Sequence, residues 1–343
     1  MSGAPATIKD IARLLGISVS TVSRALKDHP DISADTKEKV NETARRLNYR
    51  PNALALGLKS SKSNTIGVII PEIVHFFFSS VISGIEDAAY ETGYNVMVCQ
   101  TNEMYERETM VAKALLDHRV DGVLVSVAKT STKFDHLTLL QDNGIPLVFF
   151  DRVCAFIETD AVVVDDYKGA YMASEHLISV GCRNIVHLSA PENLLIGKLR
   201  KVGYCRALED NNLQVDPYNI YLCDTSEKVE EKIGRILDRH PRPDGFFAVN
   251  DSTAIAVIQH IKKAGLKVPE DIAVVGFGDG PVATICSPTL TTIEQNGYEI
   301  GYEAMRFLLD RINKGITAIV ARKKVFAPVL VKRESTARRF ENR

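Results

Sequence analysis

The chain has 343 residues, 45% hydrophobic and 25% charged, which are globular averages that exclude a disordered or fibrous protein. Its formal net charge of −1 would by itself argue against a nucleic-acid or membrane partner. The distribution argues otherwise: residues 1–63 hold 11 Lys and Arg against six Asp and Glu, a net of +5, and the other 280 residues carry −6. A small basic module fused to a larger acidic one is the pattern of a nucleic-acid-binding head on a body with another task.

From Thr7 to Tyr49 the pattern is one of short helices. In TIKDIARLLGISVSTVSRAL, Thr7 can cap a first helix, with Asp10 three residues on as in a capping box. Ile11, Ala12 and Leu15 share its inner face, and Gly16 suits the left-handed residue that ends it. Ser18 caps a second helix with Val22, Ala25 and Leu26 inward and Ser20, Thr21, Ser23 and Arg24 outward. A third helix runs from about Ala34 to Leu47, capped by Ser33, with Val40, Ala44 and Leu47 inward. Short hydrogen-bonding side chains at the start of a second helix, flanked by cations, fit a helix-turn-helix that reads DNA. The expected domain covers residues 1–50, and the polar, small-residue stretch 51–64 reads as a connector.

From Thr65 the rhythm changes to short β-branched runs alternating with amphipathic stretches. The apolar runs are 66–70, 94–98, 122–127, 146–150, 162–164, 185–188, 245–249 and 272–277, and periodic segments such as 79–92, 105–119, 167–180, 198–211 and 252–264 lie among them. Strands buried on both faces and alternating with helices imply parallel α/β sheets. The number of units exceeds one compact sheet, so two lobes are expected, with a boundary near 156–161 and a ligand in the crevice at the strand ends.

No catalytic constellation emerges. GFGDG at Gly276–Gly280 is not G-x-G-x-x-G, and neither G-x-S-x-G nor a phosphate-binding G-x-x-x-x-G-K-[ST] occurs. The eight histidines show no metal-ligand spacing, and Glu175-His176 reads as a surface pair on a helix. Neither an enzyme, nor a metal site, nor a cofactor is expected. The six cysteines form no C-x-x-C pair and read as small hydrophobes of a reducing compartment. The N-terminus shows no signal-peptide pattern and no apolar run approaches the roughly 18–20 residues of a membrane span, so a soluble, cytoplasmic protein without a membrane partner is expected, nucleoid-associated when on DNA.

The head segments TIKDIARLLGISVSTVSRAL, ISADTKEKV and LNYRPNALA resemble the DNA-binding head of the lactose/purine (galactose)-repressor family of bacterial transcriptional regulators. The body continues the resemblance through NTIGVIIP, GIEDAAYETGYNV, RVDGVLV, FFDR, VVVDDYKGAYMASEHLI, PEDIAVVGF and PTLTTIEQ, in order, from about Thr7 to Ser335. It implies an α/β body with two doubly wound parallel-sheet lobes like a periplasmic sugar-binding protein, preceded by a small all-α helix-turn-helix domain. The lobes are expected at 65–160 plus about 291–323, and at 161–290 plus about 324–343.

By this resemblance, Val19 and Ser20 take base-reading positions, while Thr7, Ser18, Thr21, Ser23 and Arg24 complete the contacts around the recognition helix. Tyr49 and Asn52 match backbone-contacting positions. The stretch 51–58, with Ala55, matches a hinge helix whose Leu58 wedges between central base pairs, followed by Lys59. Leu56 and Gly57 depart from the family pattern, and Gly57 should weaken a short helix by about 1 kcal/mol, so the hinge is expected to order only on DNA.

In the body, the resemblance gives Phe77 and Phe78 as a ring-stacking pair, Asp151 and Arg152 as a lobe-crossing pair, and Asp165 at the next strand end. Arg200 matches a pocket arginine, and Asn250 with Asp251 a further strand-end pair. Gly278 stands where many members have Asp, with Asp279 one place later, and Leu194 and Ile196 replace an arginine and a threonine of the purine repressor. A purine effector is therefore not expected, and a sugar or sugar-like metabolite is. The implied protein is a homodimer on a palindromic operator in double-stranded DNA, controlled by a small-molecule effector. The alternative is a cytoplasmic small-molecule binding protein with a non-functional head.

Overall fold

The structure, a computed structural model, describes residues 6–49, 62–315 and 320–338. The chain divides into two compact units, 1–63 and 64–343. The hinge residues Asn52, Ala55, Leu58 and Lys59 lie outside the described residues.

The head is three helices, α1 (Ile8–Leu15), α2 (Val19–Leu26) and α3 (Ala34–Arg46). Ile11, Ala12, Val22, Ala25, Val40 and Ala44 form its core, the residues whose spacing placed them inward. Thr7 opens α1: its N–H and its hydroxyl both donate to the Asp10 carboxylate, at 2.9 and 2.7 Å. Gly16 closes the helix at φ +63°, a conformation that a side chain would strain. Ser18 then starts α2 by accepting the Thr21 N–H, and Ser33 starts α3 by accepting that of Thr36.

The body contains two parallel sheets. Strands β1 (Thr65–Ile70), β2 (Asn95–Gln100), β3 (Gly122–Val125), β4 (Leu147–Phe150), β5 (Asp160–Val164) and the late β11 (Lys323–Phe326) form the first, in the order β11-β5-β4-β3-β1-β2. Strands β6 (Ile185–Ser189), β7 (Ile220–Leu222), β8 (Gly245–Ala248) and β9 (Ala273–Val275) form the second, in the order β7-β6-β8-β9. An antiparallel pair, β10 (Thr292–Glu294) with β12 (Val329–Val331), is tied to the second lobe by bridges Val275–Thr291 and Gly278–Glu294.

Alternation along each strand feeds two cores. Ile66, Val68 and Ile70 of β1 pack with the Phe76–Glu91 and Gly297–Lys314 helices, while Ile69 faces the opposite way, towards Leu115 and Leu137. In the second sheet, Val186 and Leu188 pack with the Ser226–Leu237 and Asp251–Lys263 helices, and Ile185 with Ala170 and Tyr204 on the other face. Each large side chain so buried contributes about 1.5–3 kcal/mol of hydrophobic stabilisation.

Three features depart from the expected lobe boundaries: β10, expected in the first lobe, joins β12 on the second, and two strands join the first sheet. β5, including residues placed in the second lobe, pairs with β4 in the first sheet, and β11 pairs with β5 in that sheet too. The cause is register: Val148–Phe150 of β4 offer their second edge to Asp160–Val162, and Ala161–Val164 take up Lys323–Phe326. The chain therefore crosses between lobes after β5, after β10 and after β11.

Candidate functional site

In the head, the surface made by α2 is polar and compact. Ser18 Oγ lies 2.7 Å from Ser20 Oγ and 2.8 Å from Thr21 Oγ1, so the helix start presents clustered hydroxyls. Val19 is 41% exposed there, an apolar side chain with no core to enter. Arg24 is exposed, Thr21 and Ser23 are half-buried, and Tyr49 packs half-buried on the head core. Arg13, Lys37 and Lys39 are paired with Asp10, Asp28 and Asp35. Among the described residues of α1 to α3 and their turns, exposed positive charge outside these pairs is carried by Lys9, Arg24, Lys27, Arg45 and Arg46.

In the body, strand order reverses between β1 and β3 in one sheet and between β6 and β8 in the other. Such reversals splay the following loops and open a crevice at the carboxyl ends of the strands. A cavity of about 350 Å³ lies there, lined from both lobes. Phe76, Phe77 and Phe78 enter it from the helix after β1, with Phe77 and Phe78 edge to face at 5.3 Å. Phe78 is mostly core, only 4% exposed, so Phe76 and Phe77 offer the accessible aromatic surface.

Asp151 and Arg152 follow β4. Arg152 forks onto Glu103, donating at 2.7 and 3.0 Å, and Ser126 donates to Asp151 at 3.1 Å. Burial pushes the Asp151 carboxyl up, and the nearby Arg152 and Arg200 only partly counter it. Burial acts the same way on Glu103, but there the Arg152 guanidinium prevails and holds the carboxyl below its ordinary value.

Arg200 stands on the Leu195–Asp210 helix, 5% exposed. Its Nε and Nη2 reach Asp166 Oδ1 at 2.8 and 2.7 Å, Nη1 donates to the Val249 carbonyl at 2.6 Å, and Nη2 to Gln295 at 3.2 Å. The guanidinium also lies over the Phe277 ring at 3.7 Å. Three of its five N–H groups thereby donate hydrogen bonds. Burial lifts Asp166 to about 6 even with Arg200 beside it.

Asp165, the residue singled out from the sequence, is instead the cap of the next helix, accepting the Lys168 N–H at 2.9 Å. Asn250 is likewise committed: its Oδ1 accepts from Thr253 and its Nδ2 donates to the Asp224 carbonyl, both near 2.8–2.9 Å. Asp251 lies on the cavity wall, accepting from Thr292 Oγ1 at 2.5 Å and from the Gly280 N–H at 3.1 Å. A Cβ on Gly276 would collide with one Asp251 oxygen, and one on Gly278 would sit 3.0 Å from the other. At φ +151°, Gly278 is also in a conformation that favours glycine. Asp279 turns away from the cavity lining and pairs with Arg333 at 2.7 Å.

Sequence reasoning missed Glu103, Lys129, Asp166, Asp224 and Gln295. All five lie on loops or helix starts, where no periodicity marks them. Only the tandem Asp165-Asp166 carried a signal: Asp165 was singled out at the strand end, whereas its neighbour Asp166 is the residue that meets Arg200. Among the described residues, no cluster of His, Cys, Asp or Glu is arranged to hold a metal ion, and no helix is long and apolar enough to cross a membrane.

Residues 7–52 match the family described as bacterial regulatory proteins, lacI family, and residues 174–336 match a periplasmic binding protein-like domain. The HTH-type transcriptional repressor PurR of Vibrio atlanticus (strain LGP32) is 33% identical over 311 residues, 90% of this chain and 92% of its own. Among solved structures, the Lac repressor dimer bound to operator and the anti-inducer ONPF aligns at TM-score 0.82 and 26% identity, covering 97% of this chain and 99% of that one. The transcriptional regulator CelR in complex with cellobiose aligns at TM-score 0.74 and 26% identity, covering 96% and 99%. A three-helix head that presents a polar second helix, a two-lobed body with a ligand-sized cleft, and relatedness along nine-tenths of the chain agree: the chain belongs to the LacI family, DNA-binding transcriptional regulators that join a helix-turn-helix head to an effector-binding body.

Proposed function

We propose that the protein represses transcription as a homodimer on a palindromic operator and is controlled by a neutral, hydroxyl-rich effector of sugar type held in the cleft. The carrying observation is that both cleft guanidiniums are already paired, Arg152 with Glu103 and Arg200 with Asp166. Asp151 and Asp251 meanwhile remain as buried acceptors on the wall. Hydroxyl donors suit such carboxylates, and the Phe76 and Phe77 rings suit the apolar face of a sugar. A phosphate or carboxylate would have to displace an existing partner of an arginine. Leu194 and Ile196, apolar on the same wall, offer no hydrogen bonds to a purine.

A dimer is supported by the head, because paired recognition helices suit half-sites about one turn apart, and by the related Lac repressor structure, which is a dimer on operator. The test has two arms. Selection from a random duplex pool, followed by a mobility shift, should recover a palindrome. A thermal-shift panel of neutral sugars, sugar phosphates and nucleobases should show stabilisation by a neutral sugar only. Arg200→Ala should abolish that response while operator binding persists; loss of both would mark Arg200 as structural. Sugar binding without any DNA selected would favour a binding protein with a non-functional head.

A further inference from the structure

One residue of the first lobe touches two loops of the second. Lys129 follows β3, in the loop that faces the cleft. Its ammonium lies 3.5 Å from Asp224 Oδ2, beyond β7, and its carbonyl accepts from Asn193 Nδ2 at 2.6 Å, just before the Arg200 helix. We infer that Lys129 is a positioning residue of the effector cleft, the latch by which the two lobes hold each other closed.

Both ends of this latch are built. On the first lobe, the Lys129 N–H donates to Glu103 Oε2 at 2.8 Å, the carboxylate that receives the Arg152 fork. Thr130 Oγ1 donates to the Glu103 carbonyl at 2.9 Å and accepts the Tyr105 N–H at 2.8 Å. Ala128 N–H and Ser131 Oγ, on either side, donate to the buried Glu108, which His136 also contacts. The loop is therefore pinned by two carboxylates, and Lys129 projects from a fixed base. On the second lobe, Asp224 is held at 2.5 Å by Lys228, and its carbonyl accepts from Asn250. A continuous polar path thus runs from Arg152 through Glu103 and Lys129 to Asp224 and Asn250.

The geometry also makes the latch breakable. Asp224 sits closer to Lys228, at 2.5 Å, than to Lys129, at 3.5 Å, so it keeps a counter-ion when the lobes part. Lys129 is 28% exposed at the side chain and regains water on opening. An ion pair of this exposure shifts a two-state balance without fixing it. An effector that engages Arg152 or Asn250 would act on a contact already poised between closed and open.

The inference rests on the reading of the cleft as an effector site, and its test uses neither effector nor DNA, so the two can fail separately. Hydrogen exchange is followed on the full chain, free in solution, for the wild type, Lys129→Met and Lys129→Arg. In Lys129→Met the amides of 192–194 and 223–226, across the cleft from the substitution, should exchange about two- to five-fold faster, the change that a partly exposed ion pair commands. Lys129→Arg should restore the wild-type rates. Asp224→Ala supplies the reciprocal arm and should speed exchange at 128–131. Faster exchange confined to 126–131 in Lys129→Met, or no effect of Asp224→Ala across the cleft, would overturn the latch.

Discussion

Asp166 and its neighbours show how a single buried carboxyl ties the cleft to pH. Its pKa, raised by burial to about 6 from 3.8, means that the folded protein holds this proton more tightly than the unfolded chain. The stability it lends is full below about pH 4 and is lost as pH rises through about 6. His176 and His187 act in the opposite direction. Burial lowers both to about 4, so their contribution is present at neutral pH and is lost as pH falls from 6.5 through 4. Melting temperatures of the wild type and Asp166→Asn, compared from pH 7 to pH 5, isolate the first effect: the wild type should gain relative to the variant as pH falls. A constant difference across that range would contradict it. These residues also mark where sequence reading stops. His176, taken for a surface residue beside Glu175, is buried and bonded to Thr336 at 2.8 Å, 160 residues away, a partner that no local pattern reveals. Asp165 and Asp166 are equivalent in sequence and are separated only by the turn into the helix, which sends one to the cap and the other to Arg200.

At the scale of elements, strands buried on both faces and helices with strong caps were legible, because their signals are local. The helices at Ser226–Leu237 and Gly297–Lys314 were not singled out, although Val229, Ile233 and Ile236 give the first a plain inward stripe behind the Thr225 cap. Strands β7, β10, β11 and β12 have three or four residues each, too few to show a period, and their existence depends on edges supplied by distant strands. The Gly297–Lys314 helix meets the Phe76–Glu91 helix at backbone contact. A Cβ on Gly84 would strike the Tyr298 carbonyl, and one on Gly301 the Val81 carbonyl. Gly301→Ala should therefore push the helices apart and cost about 1–3 kcal/mol, read as a lower denaturation midpoint. Gly234→Ala, where a Cβ meets open space, is the control and should be neutral or slightly stabilising.

For the whole molecule, the partition of charge decides how it meets DNA. The net +5 of residues 1–63 attracts phosphates, and the net −6 of the remainder is repelled by them, which directs encounter to the head. Operator affinity should therefore fall by about 10³-fold or more between 50 and 200 mM salt, if six or more phosphates are contacted. A titration by fluorescence anisotropy reads this directly, and a flat response would show that charge does not drive binding. The same measurement on residues 64–343 alone should show no affinity at any salt concentration.

The late strands β11 and β12 carry a consequence for the order in which the protein becomes functional. Both lie within residues 320–338, and they complete different lobes, one strand each. On a ribosome the head has all of its core once Tyr49 has emerged, whereas the first sheet lacks its β11 edge, and β10 its β12 partner, until residues 323–331 appear. Synthesis interrupted before Lys323 would thus leave a folded head attached to a body without β11 and β12. Such a fragment would carry the DNA-binding head without a finished effector-binding body.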